Sequence, residues 1–270
     1  VQAFRDALGG HATQIDKLLA ADNVPPLVTL VARPGLSKPE DLPGVPGLLS
    51  PYARILEGGG APGDIPEVRD GRAGVQDEGS QLVAITLAEV VVEGRDEKWL
   101  DLCAGPGGKA ALLGALAAQR GATLVANELQ AHRADLVRQG VHLLDNVEVT
   151  THDGRHGPWE PGSFDRVLVD APCTGLGALR RRPESRWRRS PDDLETLVPL
   201  QTALLTRAIE LTRPGGVVAY ATCSPHVAET IGVVEAATAG RDDVDVESTK
   251  QWWPHIDGTD AMFCALLRRH

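Results

Sequence analysis

The sequence has no run of eighteen apolar residues, and no secretory hydrophobic segment opens it. Neither a membrane-spanning helix nor a cleaved export signal is therefore expected. Methionine occurs once, at Met262, and the first residue is Val1. The chain is accordingly read as a piece of a longer protein, with a further domain expected upstream. Cysteine is scarce as well: Cys103, Cys173, Cys223 and Cys264. None are paired at the C-x-x-C spacing of a zinc site, so no metal is implied. A chain of 270 residues, 42% of them hydrophobic, has core enough to stand without disulfides. Free thiols in a reducing cytosol are expected, and a cytoplasmic location with them.

Positive charge is in deficit too. The formal net charge is −10, which by itself argues mildly against a polyanionic partner. The distribution points the other way. Arg180, Arg181, Arg182, Arg186, Arg188 and Arg189 crowd into one decapeptide, opposed only by Glu184. Phosphate contact is a local matter, so the cluster outweighs the whole-chain figure.

Along the chain, residues 1–22 read as two short helices, with Leu8, Ile15, Leu18 and Leu19 at helical spacing. Residues 27–32 read as a buried strand, and 52–56 as another. Proline and glycine dominate 33–51, and the stretch 58–66 is rich in turn residues. A domain boundary is placed near residue 70, with a small α+β module before it. Helix is expected over 77–92, then a strand at 98–102, a helix at 108–119, a strand at 123–127 and a helix at 131–144. Strands at 147–150, 164–170 and 217–222 follow, with a helix at 194–212 between the last two. Strands at 244–247 and 262–267 close the chain. Alternating strand and helix implies an α/β fold, a mainly parallel sheet with helices on both faces. The second domain, 71–270, is thus expected to be Rossmann-like.

In such a sheet ligands bind at the carboxyl ends of strands. The run Asp101-LCAGPGGKA puts Gly105, Gly107 and Gly108 there, and glycine lets the backbone approach a ligand closely. Glu128 follows the second strand and is placed to accept from ribose hydroxyls. Asp153 follows the third and is placed to accept from an adenine amino group. The turn reads A-G-P-G-G rather than G-x-G-x-x-G and has no diphosphate-shaped spacing. With Asp101 just before it, it suits a cofactor bearing a sulfonium and no phosphate.

Two thiols end two later strands, Cys173 in Asp170-APCTG and Cys223 in Tyr220-ATCS. Thiols are the best side-chain nucleophiles near neutral pH. A buried free cysteine is more often a small hydrophobe, and Cys264 is read that way. Cys103 is also chemically inert in this reading, though it lines the cofactor turn. For Cys173 and Cys223 the motif context favours catalysis. Carbon 5 of a pyrimidine is a poor nucleophile until a thiolate adds at carbon 6. Asp170 is placed to hydrogen-bond a ring nitrogen and ease that addition.

At these residues the chain resembles the RsmB/Sun (Fmu) family of RNA cytosine-5 methyltransferases over nearly its whole length. Asp101-LCAGPGGKA resembles D-x-C-A-A-P-G-G-K-T, Asp170-APCTG resembles D-A-P-C-S-G, and Tyr220-ATCSPHVAE resembles the block that ends in Glu-Asn. Val75-QDEGSQLVA and Gly258-TDAMFCALLRR share the family look. The resemblance implies S-adenosylmethionine as cofactor, held by Cys103, Ala104, Gly105, Pro106, Gly107, Gly108, Lys109, Glu128, Asp153 and Asp170, with Arg133 a weaker candidate. It implies Cys223 as the nucleophile and Cys173 as the thiol that assists release of methylated RNA. It also makes residues 1–70 an RNA-contacting module, often preceded by a helical RNA-binding domain. Beside such a site the arginine run is expected to grip RNA phosphates, with Trp187 packing or stacking on a base; the alternative is a solvated helix face. The implied substrate is small-subunit ribosomal RNA, with transfer RNA as the alternative. No metal or membrane partner is implied, and a monomer is expected. Three positions depart from the pattern: Gly105 for alanine, Ala110 for threonine, and Thr230 for the asparagine after Glu229. The first two are expected to alter only turn packing, and the third to put one supporting hydrogen bond in doubt. Two rival classes are a catalytically silent RNA-binding assembly factor and an NAD-dependent oxidoreductase.

Overall fold

The structure, a computed structural model, describes residues 1–58 and 60–270; Gly59, within the turn-rich stretch 58–66, lies outside the described residues. The chain starts with helices Gln2–Leu8 (α1) and Ile15–Ala21 (α2), linked by a 3-10 segment at Gly9–Gln14. Four short strands follow: Thr29–Ala32 (β1), Val45–Pro46 (β2), Ala53–Ile55 (β3) and, after the helix Pro66–Arg69 (α3), Ala73–Val75 (β4). They form one antiparallel sheet in the order β2-β3-β1-β4. The small sheet thus draws an edge strand from residues 73–75, just past the boundary expected near 70.

Strand alternation in β1 ties this sheet to the rest of the molecule. Leu30 and Ala32 pack with Leu42, Leu56 and Ala73 on one face. Val31 joins the large core on the other. The first two helices do not cover the small sheet. Their Phe4, Leu8, Ile15 and Leu18 pack on Leu179, Trp253 and Ala261, far along the chain.

The larger part alternates as the sequence implies. It runs Glu78–Glu89 (α4), Lys98–Asp101 (β5), Gly108–Ala118 (α5), Thr123–Asn127 (β6), Ala131–Val141 (α6), Val147–Thr150 (β7) and Phe164–Asp170 (β8). Ser185–Arg188 (α7), Asp193–Leu211 (α8), Thr212–Thr222 (β9), Ile231–Thr238 (α9), Val244–Gln251 (β10), Pro254–Asp257 (α10) and Phe263–Arg269 (β11) complete it. The sheet order is β10-β11-β9-β8-β5-β6-β7. The strands from β5 to β9 run parallel, and β11 and β10 are antiparallel additions at one edge. The order reverses between β5 and β8, where ligands of open α/β sheets bind.

Burial explains the central strands. The first six residues of β8 are buried, as befits a strand covered on both faces. Helices α4 and α5 pack one face through Val83, Leu87, Leu112 and Leu116. Helices α8 and α9 pack the other through Leu204, Ile209, Val233 and Val234. The edge strand β10 is almost wholly exposed and carries Asp245, Glu247 and Lys250, charges that discourage pairing with another chain.

The Gln76-Asp-Glu segment joins the two parts. Glu78 accepts from the backbone N–H groups of Leu48, Leu49 and Ser50 at 2.9–3.1 Å. Gln81, fully buried, donates to the carbonyls of Leu30 and Gln76. Arg33 reaches the Gly140 carbonyl in the last turn of α6 at 2.7 Å, where a helix end favours a cation.

Candidate active site

The crevice is built at the ends of β5, β6, β8 and β9. At the end of β5 the chain turns through Cys103-AGPGG into α5. Gly107 sits at φ 113°, and a Cβ there would lie 3.1 Å from the Val137 Cα, so only glycine fits. Glu128, at the end of β6, turns its carboxylate onto this loop. It accepts from the Gly105 N–H at 3.1 Å and the Gln130 N–H at 3.0 Å. Arg133 backs the pair, with Nη2 donating to the Gly105 carbonyl at 2.7 Å. The glycine at 105 does more than adjust packing: a Cβ there would lie 2.1 Å from Glu128 Oε2. Its absence is what lets the carboxylate reach the backbone.

Asp101 is fully buried, and neither carboxylate oxygen has a partner among the described residues. Burial, and then the nearby Asp170, push its carboxyl up to about 8 against the pull of Lys109. A buried acid that forms no ion pair of its own, at the edge of a glycine turn, fits a cationic ligand. S-adenosylmethionine carries both a sulfonium and an ammonium. Asp153 is held by Arg155 in a paired contact at 2.6 and 3.0 Å, which draws its carboxyl down to about 2. It remains an acceptor at the end of β7.

Register brings the two thiols together. Asp170 stands opposite Ala221 in the parallel pair of β8 and β9, so the turns after both strands start side by side. The sulfurs of Cys173 and Cys223 lie 3.4 Å apart. The bond from the Cys173 thiol lowers Cys223 below the ordinary cysteine value; Lys109 acts in the same direction, while burial and Asp170 oppose. The same bond, and then burial, hold Cys173 well above that value. Either sulfur can donate in this contact; the charge of Lys109 near Cys223 and of Glu229 near Cys173 favours the thiolate on Cys223. Lys109, 10% exposed in its side chain, binds Asp170 at 2.8 Å. Burial disfavours its charge, but Asp170 more than offsets this and leaves the ammonium strengthened. Cys103 is held well above the usual thiol value by burial and then Asp101, and buried Cys264 rises to about 12. Neither reads as a nucleophile.

The arginine run divides. Arg180 does not face solvent: its side chain is 8% exposed and lies between Asp77 at 2.5 Å and Asp260 at 2.9 Å. The expectation that Arg180 grips phosphate is corrected, because two buried carboxylates already claim it. Arg181 is half committed, with Nε 2.7 Å from Asp260. Arg186 donates to the Asp22 carbonyl and to Asn23, and Arg189 lies 3.8 Å from Asp193. Among the described residues Arg182 and Arg188 have no carboxylate partner, and Trp187 is 80% exposed beside them.

Sequence reasoning gave no role to Glu229, Thr174, Ser224 and Gln201, which bind one another directly behind the thiols. A signal existed: each thiol is followed by a hydroxyl residue, Thr174 and Ser224. Thr230, in the place of asparagine, still anchors its loop by donating to the His226 carbonyl at 3.1 Å.

Residues 89–268, two thirds of the chain, match the family described as 16S rRNA methyltransferase RsmB/F. The chain belongs to that family. The resemblance read from its motifs is borne out. A putative methyltransferase of Mycobacterium tuberculosis is 53% identical over 99% of this chain. A probable ribosomal RNA small subunit methyltransferase B of Bacillus subtilis is 31% identical over 74%. The chain spans 62% of the first relative's length and 48% of the second's. Among solved structures, NSun6 of Pyrococcus horikoshii with SFG superimposes with a TM-score of 0.80 at 17% identity, covering 98% of this chain and 96% of that one. A methyltransferase homologue from the same organism gives 0.78 at 22%, covering 96% and 92%. These two likenesses establish the Rossmann-like methyltransferase fold of the RsmB/F chain. No helix among its described residues is long and apolar enough to cross a membrane.

Proposed function

We propose that this chain methylates carbon 5 of cytosine in RNA, with S-adenosylmethionine as methyl donor and small-subunit ribosomal RNA as substrate. The observation that carries the reading is the Cys173–Cys223 pair, 3.4 Å apart at the switch point, with the Lys109 charge close enough to favour a thiolate on Cys223. A silent RNA-binding factor has no use for two thiols so arranged, and membership of the RsmB/F family leaves no ground for the oxidoreductase reading.

Family and crevice together support a cofactor site formed by Cys103 to Lys109, Glu128, Asp153 and Asp170, with Arg133 bracing the turn. Asp101 adds the counter-charge. When bound, S-adenosylmethionine supplies an electrophilic methyl group. Cys223 adds to cytosine carbon 6, and the electron pair of the 5,6 double bond moves to carbon 5, now nucleophilic. Asp170 meets the ring-nitrogen edge of the base, where a proton shared between its carboxyl and ring nitrogen 3 eases that addition. Once carbon 5 carries the methyl group, its proton passes to solvent, which restores the double bond and expels the sulfur of Cys223. Cys173, protonated and in contact with that sulfur, assists the release. The base must leave any helix to reach the crevice. Arg182, Arg188 and Trp187 are the exposed part of the run free to meet RNA, Arg189 can join them by leaving Asp193, and residues 1–70 add contact area.

Substitution of the thiols tests this. Cys223→Ala is expected to abolish turnover and leave cofactor binding intact. Cys173→Ala is expected to accumulate a covalent protein–RNA adduct, visible as a denaturant-resistant shift on a gel. Turnover in the first, or no adduct in the second, contradicts the assigned roles.

A further inference from the structure

The two thiol loops share one anchor. Thr174 follows Cys173, and both its N–H and its hydroxyl donate to Glu229, at 2.8 and 2.5 Å. Ser224 follows Cys223, and its hydroxyl donates to the same carboxylate at 2.6 Å. Gln201 of α8 donates to Glu229 at 3.0 Å and to the Pro172 carbonyl, one residue before Cys173, at 2.8 Å. The Tyr220 hydroxyl donates to the Glu229 carbonyl at 2.7 Å.

Glu229 is fully buried, and among the described residues no lysine, arginine or histidine forms an ion pair with it. Burying a carboxylate away from any cation is costly, and apolar packing serves stability better. Four donors converge on its two oxygens, so both act only as acceptors, which is the ionised form. The arrangement therefore sets a fixed negative charge directly behind the amide that follows Cys173. Lys109, a positive charge bound to Asp170, favours a thiolate on Cys223. A negative charge disfavours ionisation of its neighbour.

On the reading that Cys223 is the nucleophile, we propose that Glu229 is the positioning residue that clasps both thiol loops and assigns their shared proton to Cys173. The Cys173 thiol is raised first by its bond to Cys223 and by burial, and Glu229 adds in the same direction. The anchor thus serves two steps. It fixes the contact between sulfurs that activates Cys223, and it keeps Cys173 protonated for release.

The test is peptide-resolved alkylation of the purified protein with iodoacetamide across the neutral to alkaline range, without RNA. The wild-type protein is expected to be labelled at Cys223 before Cys173. In Glu229→Gln, which removes the charge and keeps the shape, labelling of Cys173 relative to Cys223 is expected to rise about tenfold. Glu229→Asp, which keeps the charge, is expected to retain the wild-type order. An unchanged ratio in Glu229→Gln, with cofactor binding intact, overturns the proposal; a merely structural carboxylate leaves the ratio alone. If that variant does not fold, Thr174→Val and Ser224→Ala replace it. Each is expected to lower kcat about tenfold at unchanged cofactor Kd, and wild-type kcat in both overturns the clasp. A wild-type protein labelled first at Cys173 overturns instead the nucleophile assignment beneath it.

Discussion

Single side chains in this crevice act through their neighbours' charge. Lys109 holds Asp170 and favours the Cys223 thiolate, and one substitution removes both effects. Lys109→Met is expected to move the alkylation of Cys223 to higher pH, because the thiolate loses a nearby cation. A pH profile that does not move contradicts the electrostatic role. Gly105 makes a second case. Its missing Cβ lets Glu128 bind the turn's own N–H at 3.1 Å. Gly105→Ala is expected to displace that carboxylate toward the crevice and tighten cofactor binding severalfold, as read by titration calorimetry. Weaker binding contradicts the picture of Glu128 latched onto the loop.

Elements decide which arginines are free. The run from Arg180 to Arg189 spans the turn after β8, the short α7 and the approach to α8, and its members meet different surroundings. Arg180 lies between Asp77, the N-cap of α4, and Asp260 ahead of β11. Arg180→Met leaves buried Asp77 without a cation and Asp260 with Arg181 alone, and is expected to cost about 3–5 kcal/mol of stability by denaturant titration. Arg182→Ala and Arg188→Ala are expected to change stability by less than about 0.5 kcal/mol. Each is instead expected to weaken RNA binding and reduce its salt slope by about 0.7 to 0.9. Reversed behaviour of the two sets contradicts the division. This is also where legibility in the sequence ended. The strands and helices of the large sheet were readable, because apolar periodicity and glycine turns are local signals. The glycine turn and both thiols were readable because each directly follows a strand. The partners Asp77 and Asp260 for Arg180, and Glu229 for both thiol loops, arise from long-range contacts that no spacing records. The packing of α1 and α2 on Trp253 and Ala261, rather than on the small sheet, is of the same kind.

For the molecule as a whole, buried carboxyls shape the response to pH, Asp22 and Asp101 among them. Burial raises Asp22 to about 7 despite the counter-pull of Arg186 and Arg180, and Asp101 rises to about 8. Both fold with more proton affinity than they have when unfolded. Their stabilising effect is full below about pH 4, the unfolded carboxyl value, and is lost as pH rises through 7 and 8. Thermal stability of the ligand-free protein is therefore expected to fall across that window. Asp22→Asn is expected to flatten the fall and raise Tm by a few degrees at its alkaline end. A cationic cofactor beside Asp101 favours its ionised form, so binding near neutral pH is expected to release a proton, measurable by calorimetry in buffers of different ionisation enthalpy. No proton release contradicts the place given to Asp101. The central claim joins fold, crevice and thiol pair in one reaction. The most direct test is methyl transfer from labelled S-adenosylmethionine to unmethylated small-subunit ribosomal RNA, with the nucleosides then resolved. Label in 5-methylcytidine is the result this account predicts; label in any other nucleoside, or none while the cofactor binds, contradicts it.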